Sequence, residues 1–326
     1  MSNYLISGAA GFIAFRVAEL LLEDGHTVYG VDNLNAAYDV RLKDYRLSRL
    51  KDFPGFHFMK MDISEKDSID AIGEWLPEKV DGVINLAARA GVRTSLTDPW
   101  VYVNTNMVGT LNLLELCRQR DIPKFILAST SSLYAEESEP PFKETYDTDH
   151  PLQPYAASKK GAESMAHAYH FLYDIDVSVL RYFTVYGPAG RPDMVMFRFC
   201  QWIAEDKPVV INGDGEQSRG FTYLDDIARG TIQALKPVGY EIINLGGHEV
   251  ITINRLVEML EERIGKKARI THQDFHIADV HTNQADVTRA GEILGWEPKV
   301  DLEEGVTRLV DWYMQERSWA SQVETP

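Results

Sequence analysis

The sequence predicts an α/β fold built on a doubly wound parallel sheet, and three observations predict it. A short apolar run near the N-terminus breaks into a glycine turn and then a helical pattern. The next apolar run ends in an acid, and further strand-length apolar runs then alternate with amphipathic helical stretches.

In chain order, Tyr4 to Ser7 reads as a strand, Gly8-Ala-Ala-Gly11 as a tight turn, and Val17, Leu20, Leu21 and Leu22 as the buried stripe of a helix. Gly8 allows the turn, Gly11 lets backbone approach a pyrophosphate, and the helix N-terminus offers free N–H groups to phosphates. Ala14 stands where a third small residue packs helix against strand. The run His26 to Asp32 ends in an acid about 20 residues after the glycines, where a carboxylate holds a ribose diol. With Arg41 the nearest arginine and too far along, Asp32 favours NAD over NADP. Three more strands run from Phe56 to Met61, Val80 to Asn85 and Lys124 to Ala128. Ligands bind at the carboxyl ends of such strands. There Asp62 and Ile63 either flank an adenine or begin a helix, Ala87 and Ala88 leave room for a cofactor, and Asn106 follows a helix start near Pro99.

Tyr155 and Lys159 stand four residues apart on a helical stretch, so their side chains share one face. A phenol with a pKa of ~10 is a poor base at neutral pH, but a fixed ammonium favours its anion, and a cationic nicotinamide ring favours it further. The pair therefore asks for a nucleotide cofactor. From Thr184 to Met194 the chain is loop-like; Val195 to Ala204 is helical and Val209 to Ile211 a short strand. Leu224 to Leu235, Ile253 to Ile264 and Leu302 to Tyr313 have the helical periodicity of a second core, with Trp296 and Trp312 in it. Ser318 to Pro326 reads as a loose tail.

Composition narrows the function. With 33 Lys+Arg against 49 Asp+Glu the net charge is −16, so nonspecific binding to nucleic acid or anionic membrane is not expected. The two cysteines, Cys117 and Cys200, provide neither a disulfide framework nor a Cys-rich metal motif, so no metal is expected. There is no apolar run of about 18 residues and no basic-then-apolar leader, so a soluble, cytoplasmic protein is expected.

Five segments, in this order, carry a specific resemblance: Gly8-x-x-Gly11-Phe12-Ile13, Leu86-Ala87-Ala88, Ser129-Thr130-Ser131-Ser132-x-Tyr134, Tyr155-x-x-x-Lys159 and Arg181-Tyr182-Phe183-Thr184-Val-Tyr-Gly-Pro188. Together the chain resembles the extended short-chain dehydrogenase/reductase family, and within it the nucleotide-sugar 4-epimerases, over nearly its whole length. The resemblance implies a Rossmann domain over 1–183, rejoined by later segments, and a smaller sugar-nucleotide domain mainly over 184–326. It also implies tightly held NAD and a homodimer packed through two helices per subunit. Cofactor contacts carried over are Gly8, Gly11, Phe12, Ile13, Asp32, Asn33, Asp62, Ile63, Leu86, Ala87, Ala88, Asn106, Tyr155, Lys159 and Tyr182. By the same carry-over Tyr155 is the base, Lys159 binds the nicotinamide ribose and lowers the tyrosine's pKa, and Thr130 bonds the sugar's 4-hydroxyl.

Arg219, beside Gly213 to Ser218, is either a diphosphate contact or a solvated surface charge. Asp279 follows Ala278 where relatives have Gly-Asp and is carried over as a substrate contact; Ala135 and Gly220 also depart from the family pattern. Thr184, where hexose epimerases carry Asn, together with Arg191-Pro-Asp-Met194 and Ala90-Gly-Val-Arg93, is similar to the UDP-glucuronate 4-epimerases. A hexuronate carboxylate suits the short neutral donors Thr130, Ser131, Ser132 and Thr184, although the two serines serve equally as caps of loop backbone.

The expected reaction is NAD-dependent inversion at C4 of UDP-glucuronate, giving UDP-galacturonate through a 4-keto sugar. The same chemistry on UDP-glucose or UDP-N-acetylglucosamine is the alternative. A UDP-glucuronate decarboxylase or sugar-nucleotide dehydratase would carry acidic residues where this chain has Ser131-Ser132, and elimination without a carboxyl group lacks its acid. A noncatalytic NAD sensor on the same fold is argued against by intact Thr130, Tyr155 and Lys159.

Overall fold

The computed structural model describes residues 1–134, 139–274 and 282–326. Six strands come first: β1 Asn3–Ser7, β2 Thr27–Asp32, β3 Phe56–Lys60, β4 Gly82–Asn85, β5 Lys124–Thr130 and β6 Asp176–Tyr182. They are followed by β7 Thr184–Tyr186, β8 Pro208–Asn212, β9 Ser218–Tyr223, β10 Tyr240–Leu245, β11 Glu249–Thr252 and β12 Arg269–Gln273. Seven of them form one parallel sheet in the order β10-β6-β5-β4-β1-β2-β3. The apolar strand runs explain this, since a parallel strand is covered on both faces; every residue of central β5 is buried.

One face is covered by helices Phe12–Glu23 and Leu224–Gln233, whose Val17, Leu21, Ile227 and Ala228 meet sheet residues such as Ile6 and Ile84. The other face is covered by a continuous helical rod, Pro99–Gln119, and by the helix Pro154–Tyr173. In the middle of that rod, Val103–Val108 widens to a π-helical turn beside the cavity described below.

A second core gathers the helices Val195–Ala204, Ile253–Ile264 and Leu302–Gln315 around Phe197, Leu256 and Tyr313. Two small sheets, β11-β9-β7 and β12-β8, flank it. Three expectations change here. The stretch after Thr184 is not wholly loop, because β7 pairs in parallel with β9. The helix Leu224–Gln233 and Trp296, expected in the second core, pack on the large sheet instead, where β10 pairs with β6 as one of the later segments expected to rejoin it. The C-terminal tail is packed rather than loose: Val323 is buried, and the Gln201 amide donates to the carbonyls of Ala320 (3.0 Å) and Val323 (2.8 Å). No helix among the described residues is long and apolar enough to cross a membrane.

Candidate active site

The strand order reverses between β1 and β4, and their carboxyl ends open a crevice there. Gly8 leaves β1 with φ +71°, and a Cβ on it would stand 2.8 Å from the backbone N and Cα of Ala87. Only glycine fits that approach. Gly11 closes the turn by donating its N–H to the Gly8 carbonyl at 2.7 Å, and a Cβ there would meet the same oxygen at 2.8 Å. The turn's own geometry therefore already requires Gly11. Helix Phe12–Glu23 starts with no side-chain cap and no acid in its first turn, so its leading N–H groups remain available to an anion.

A cavity of about 590 Å³ runs from this turn to the carboxyl ends of β5 and β6 and the start of β7. Of the residues expected to bind cofactor, Gly8, Gly11, Phe12, Ile13, Asp32, Asn33, Asp62, Ile63, Leu86, Ala87, Ala88, Tyr155, Lys159 and Tyr182 all line it. At one end the Asp32 carboxylate accepts the N–H of Leu34 (2.7 Å) and of Ala10 (3.2 Å). Asn33 donates to Asp62 at 2.7 Å. Burial works to raise the Asp62 pKa, but hydrogen bonds from Asn33 and Ser64 outweigh it and hold the carboxyl below its ordinary value. Asp62 faces the cavity and accepts from Ser64 within its own turn, but it does not begin a helix, since the next one starts at Ser68 after Asp67.

Thr130, Ser131, Ser132, Thr184 and Arg191 line the other end. Thr130 ends β5 and accepts the N–H of Ser132 at 3.1 Å, while Ser131 accepts from the Asn283 amide at 3.3 Å. Tyr155 is half-buried, with its ring edge-on to Tyr102 at 6.0 Å. Burial raises the Tyr155 phenol, and a hydrogen bond with Thr130 and the charge of Arg191 pull it back part of the way. Lys159 is buried and donates to the Ala128 carbonyl at 2.9 Å. Burial drives its pKa down to about 8 against the opposing charge of Glu163, one turn further along the helix. Thr130 and Arg191 are the groups that lower the phenol here.

Three expected residues are not brought into this wall. Asn106 is buried with its amide spent on the Arg89 backbone (2.9 and 3.1 Å) and the Ser158 hydroxyl (2.9 Å), while its neighbour Thr105 lines the cavity. It shapes the loop after β4 instead of facing a ligand. Arg93 is exposed on the short helix Val92–Ser95, outside the cavity lining. Arg219 on β9 also lies outside the lining and donates to the Ser218 carbonyl at 2.8 Å. Asp279, like Ala135 and Ala278, lies outside the described residues. Tyr182 reaches the cavity, but its hydroxyl is engaged with Thr231 at 2.8 Å.

Sequence reasoning missed Lys43, which lines the cavity and stands 3.4 Å from Asp32. Its signal was position: Lys43, Arg46, Leu47 and Leu50 recur on one helical face, and all four are buried. It also missed Arg89, a cavity-lining cation that donates to Asn35 at 3.3 Å. Arg191 forms a two-point pair with Asp193, 3.0 Å from Nε to Oδ1, which neither residue alone announced.

Known proteins place this arrangement. The chain is 56% identical over 313 residues to the UDP-glucuronate 4-epimerase of Thermodesulfobacterium geofontis, covering 96% of each chain. It is 37% identical to a probable UDP-glucuronate 4-epimerase of Rhizobium meliloti, covering 96% and 97% of the two chains. A crystal structure of UDP-glucuronic acid 4-epimerase from Bacillus cereus, in complex with UDP-glucuronic acid and NAD, superposes with a TM-score of 0.89 at 36% identity. That match covers 96% of this chain and 99% of the other. The UDP-glucose 4-epimerase of Thermotoga maritima, solved with UDP-glucose, gives 0.87 at 32% identity over 97% and 99%. With a family profile also matching residues 4–246, the chain belongs to the NAD dependent epimerase/dehydratase family.

Proposed function

We propose that this protein is an NAD-dependent UDP-glucuronate 4-epimerase, converting UDP-glucuronate to UDP-galacturonate through a 4-keto sugar. The observation that carries the reading is one wall of short neutral hydroxyls, Thr130, Ser131, Ser132 and Thr184, in the same cavity as Tyr155 and Lys159. A hexuronate carboxylate can accept from several of them at once, and no carboxyl group stands in the Ser131-Ser132 positions to drive elimination. The relative at 56% identity bears the name of this activity over the whole matched length.

NAD fits the described residues. The Gly8–Gly11 turn presents backbone and an uncapped helix start for the pyrophosphate, and Asp32 presents a carboxylate for a ribose diol. Asn33, Asp62 and Ile63 would border the adenine, Leu86, Ala87 and Ala88 the middle of the cofactor, and Tyr155, Lys159 and Tyr182 its nicotinamide end. When bound, NAD supplies the hydride acceptor for C4 and the donor that returns hydride to the opposite face.

The chain's own residues do the rest. Tyr155 takes the proton of the 4-hydroxyl at its phenolic oxygen and later gives it back, so there is no net redox change. Thr130, hydrogen-bonded to Tyr155, orients that oxygen and the sugar hydroxyl. Lys159, held at the Ala128 carbonyl, fixes the ribose and keeps positive charge near the phenolate. Ser131, Ser132 and Thr184 hold the carboxylate near the ketone plane, where its bond to C5 does not overlap the carbonyl π system and carbon dioxide is not lost. Arg191 faces Tyr155 across the sugar site, while the assignment of Arg93, Arg219 and Asp279 to the sugar nucleotide rests on the family resemblance alone.

In the same reading, 1–183 with later returning segments forms the cofactor domain and 184–326 mainly the sugar-nucleotide domain. A homodimer through the helices Pro99–Gln119 and Pro154–Tyr173 is supported by the exposed Trp100 (75%) and Phe171 (79%) on them. The setting is cytoplasmic. The test is to incubate the purified protein with UDP-glucuronate and with UDP-glucose and resolve the products by chromatography and sugar NMR. UDP-galacturonate as main product is expected; conversion of UDP-glucose alone would return the reading to a hexose epimerase.

A further inference from the structure

Arg46, on the helix Arg41–Lys51, is fully buried at 0% exposure. Its guanidinium donates to neutral acceptors: the Ala10 carbonyl (3.0 Å), the Tyr38 hydroxyl (2.7 Å), the Ala189 carbonyl (3.1 Å from Nε, 2.6 Å from Nη2) and the Gly190 carbonyl (3.4 Å). The rings of Phe12 and Tyr38 lie 5.8 and 5.6 Å from it. Taking a cation out of water is costly, and neutral carbonyls offset less of that cost than a carboxylate would. Packing alone is served better by an apolar side chain, so the fork must be valued for what it joins.

It joins the two ends of the site. Ala10 belongs to the glycine turn at the cofactor end, and Ala189 and Gly190 lead directly into Arg191 at the sugar end. Ala189 sits at φ +54°, a left-handed conformation that costs a non-glycine residue on the order of 1–3 kcal/mol unless its surroundings impose it. The two donors of Arg46 on its carbonyl are such an imposition. The groups facing Tyr155 are Thr130 from β5, Tyr102 from the helical rod, Lys159 from its own helix, and Arg191 with its partner Asp193 from this loop. Of these, only the Arg191–Asp193 pair stands on backbone that Arg46 holds.

We propose that Arg46 is a positioning residue: through Ala189 and Gly190 it fixes the Arg191 guanidinium opposite Tyr155, and through Ala10 it ties that position to the cofactor turn. The inference rests on the reading of Tyr155 as the base of an epimerase. Because Arg191 stabilises the phenolate, loosening it moves the phenol upward, and a rate that needs the phenolate then requires a higher pH.

The test uses the holoenzyme with Arg46→Met, Arg191→Met and the double variant, and Tyr38→Phe as a milder change that removes one acceptor of the same guanidinium. Arg46→Met should lower kcat/KM on UDP-glucuronate on the order of a hundredfold, as misplacement by about 1 Å does. The acid limb of its pH–rate profile should move to higher pH, and the double variant should lose little beyond Arg191→Met alone. Tyr38→Phe should shift the limb the same way by less. Hydrogen exchange of the peptide spanning 187–194 should quicken in both Arg46→Met and Tyr38→Phe. Additive losses with an unmoved acid limb in the folded variants overturn the proposal. If Arg46→Met does not fold, an unmoved limb and unchanged exchange in Tyr38→Phe overturn it. A wild-type enzyme inactive on UDP-glucuronate whose 187–194 exchange still quickens in the variants would refute the substrate reading while the tie stands.

Discussion

Replacing Glu163 by Gln tests the buried charges beneath Lys159. Glu163 and Arg181 are both almost wholly buried, paired through Arg181 Nε to Oε1 at 3.0 Å and Nη2 to Oε2 at 2.9 Å, with the Ser129 hydroxyl donating to Oε1 at 2.6 Å. Glutamine keeps the shape but turns an accepting oxygen into a donor and removes the charge, so Arg181 is left buried and uncompensated. Removing one partner of such a pair costs about 3–5 kcal/mol. At about 2–4 °C per kcal/mol for large domains, the melting temperature should fall by roughly 6–20 °C. The same change removes the charge that holds the Lys159 pKa up, so the lysine should drop further below about 8 and the alkaline limb of the pH–rate profile should move to lower pH. Thermal melting by circular dichroism and initial rates from pH 6 to 10 read both effects. A melting point within about 1 °C of wild type, with the alkaline limb in place, would refute the account of this network.

Three other changes have definite expected outcomes. Tyr155→Phe should nearly abolish turnover while NAD still co-purifies, because it removes the proton acceptor and little volume; a variant with near-normal kcat rules out the assigned base. Thr184→Val should raise the barrier for UDP-glucuronate by about 1–3 kcal/mol, one hydrogen bond to a charged group, and release some UDP-pentose, with UDP-glucose less affected; equal losses on both sugars and no pentose make Thr184 structural. Lys159 titrates near 8 in the fold against an ordinary 10.5, so the unfolded chain binds the extra proton between those values. Its contribution to stability therefore rises with pH across that window, by about 3 kcal/mol in all, and Lys159→Met should remove that rise in denaturant titrations at pH 8 and 10. An identical pH dependence in the Met variant contradicts the buried-ammonium reading.

Much of the cofactor end was legible in the sequence because its demands are local. A glycine turn after a strand, an acid at the end of the next strand and a Tyr and Lys one helical turn apart each announce themselves within a few residues. What stayed hidden depends on contacts between distant segments. Helix 41–51 looks like a solvated charged face, yet Lys43 and Arg46 are buried because Asp32, Ala10 and Ala189 come from elsewhere to receive them. Asn106 lies one position from the cavity-lining Thr105, and spacing could not tell which of the two faces inward. The helix at 224–235 looked like part of the second core because its packing against helix Phe12–Glu23 joins segments about two hundred residues apart, which no local pattern records. The tail seemed loose for a related reason: its anchors, Gln201 and Trp202, sit on a helix over a hundred residues earlier.

Epimerisation at C4 requires that hydride leave that carbon of the uronate sugar and return to the same carbon. Its most direct test is turnover of UDP-glucuronate deuterated at C4 in ordinary water with catalytic NAD, the product sugar being analysed by NMR and mass spectrometry. UDP-galacturonate that keeps its deuterium at C4 is expected. Product with the label lost to solvent, or a label retained only in unconverted glucuronate, would contradict it.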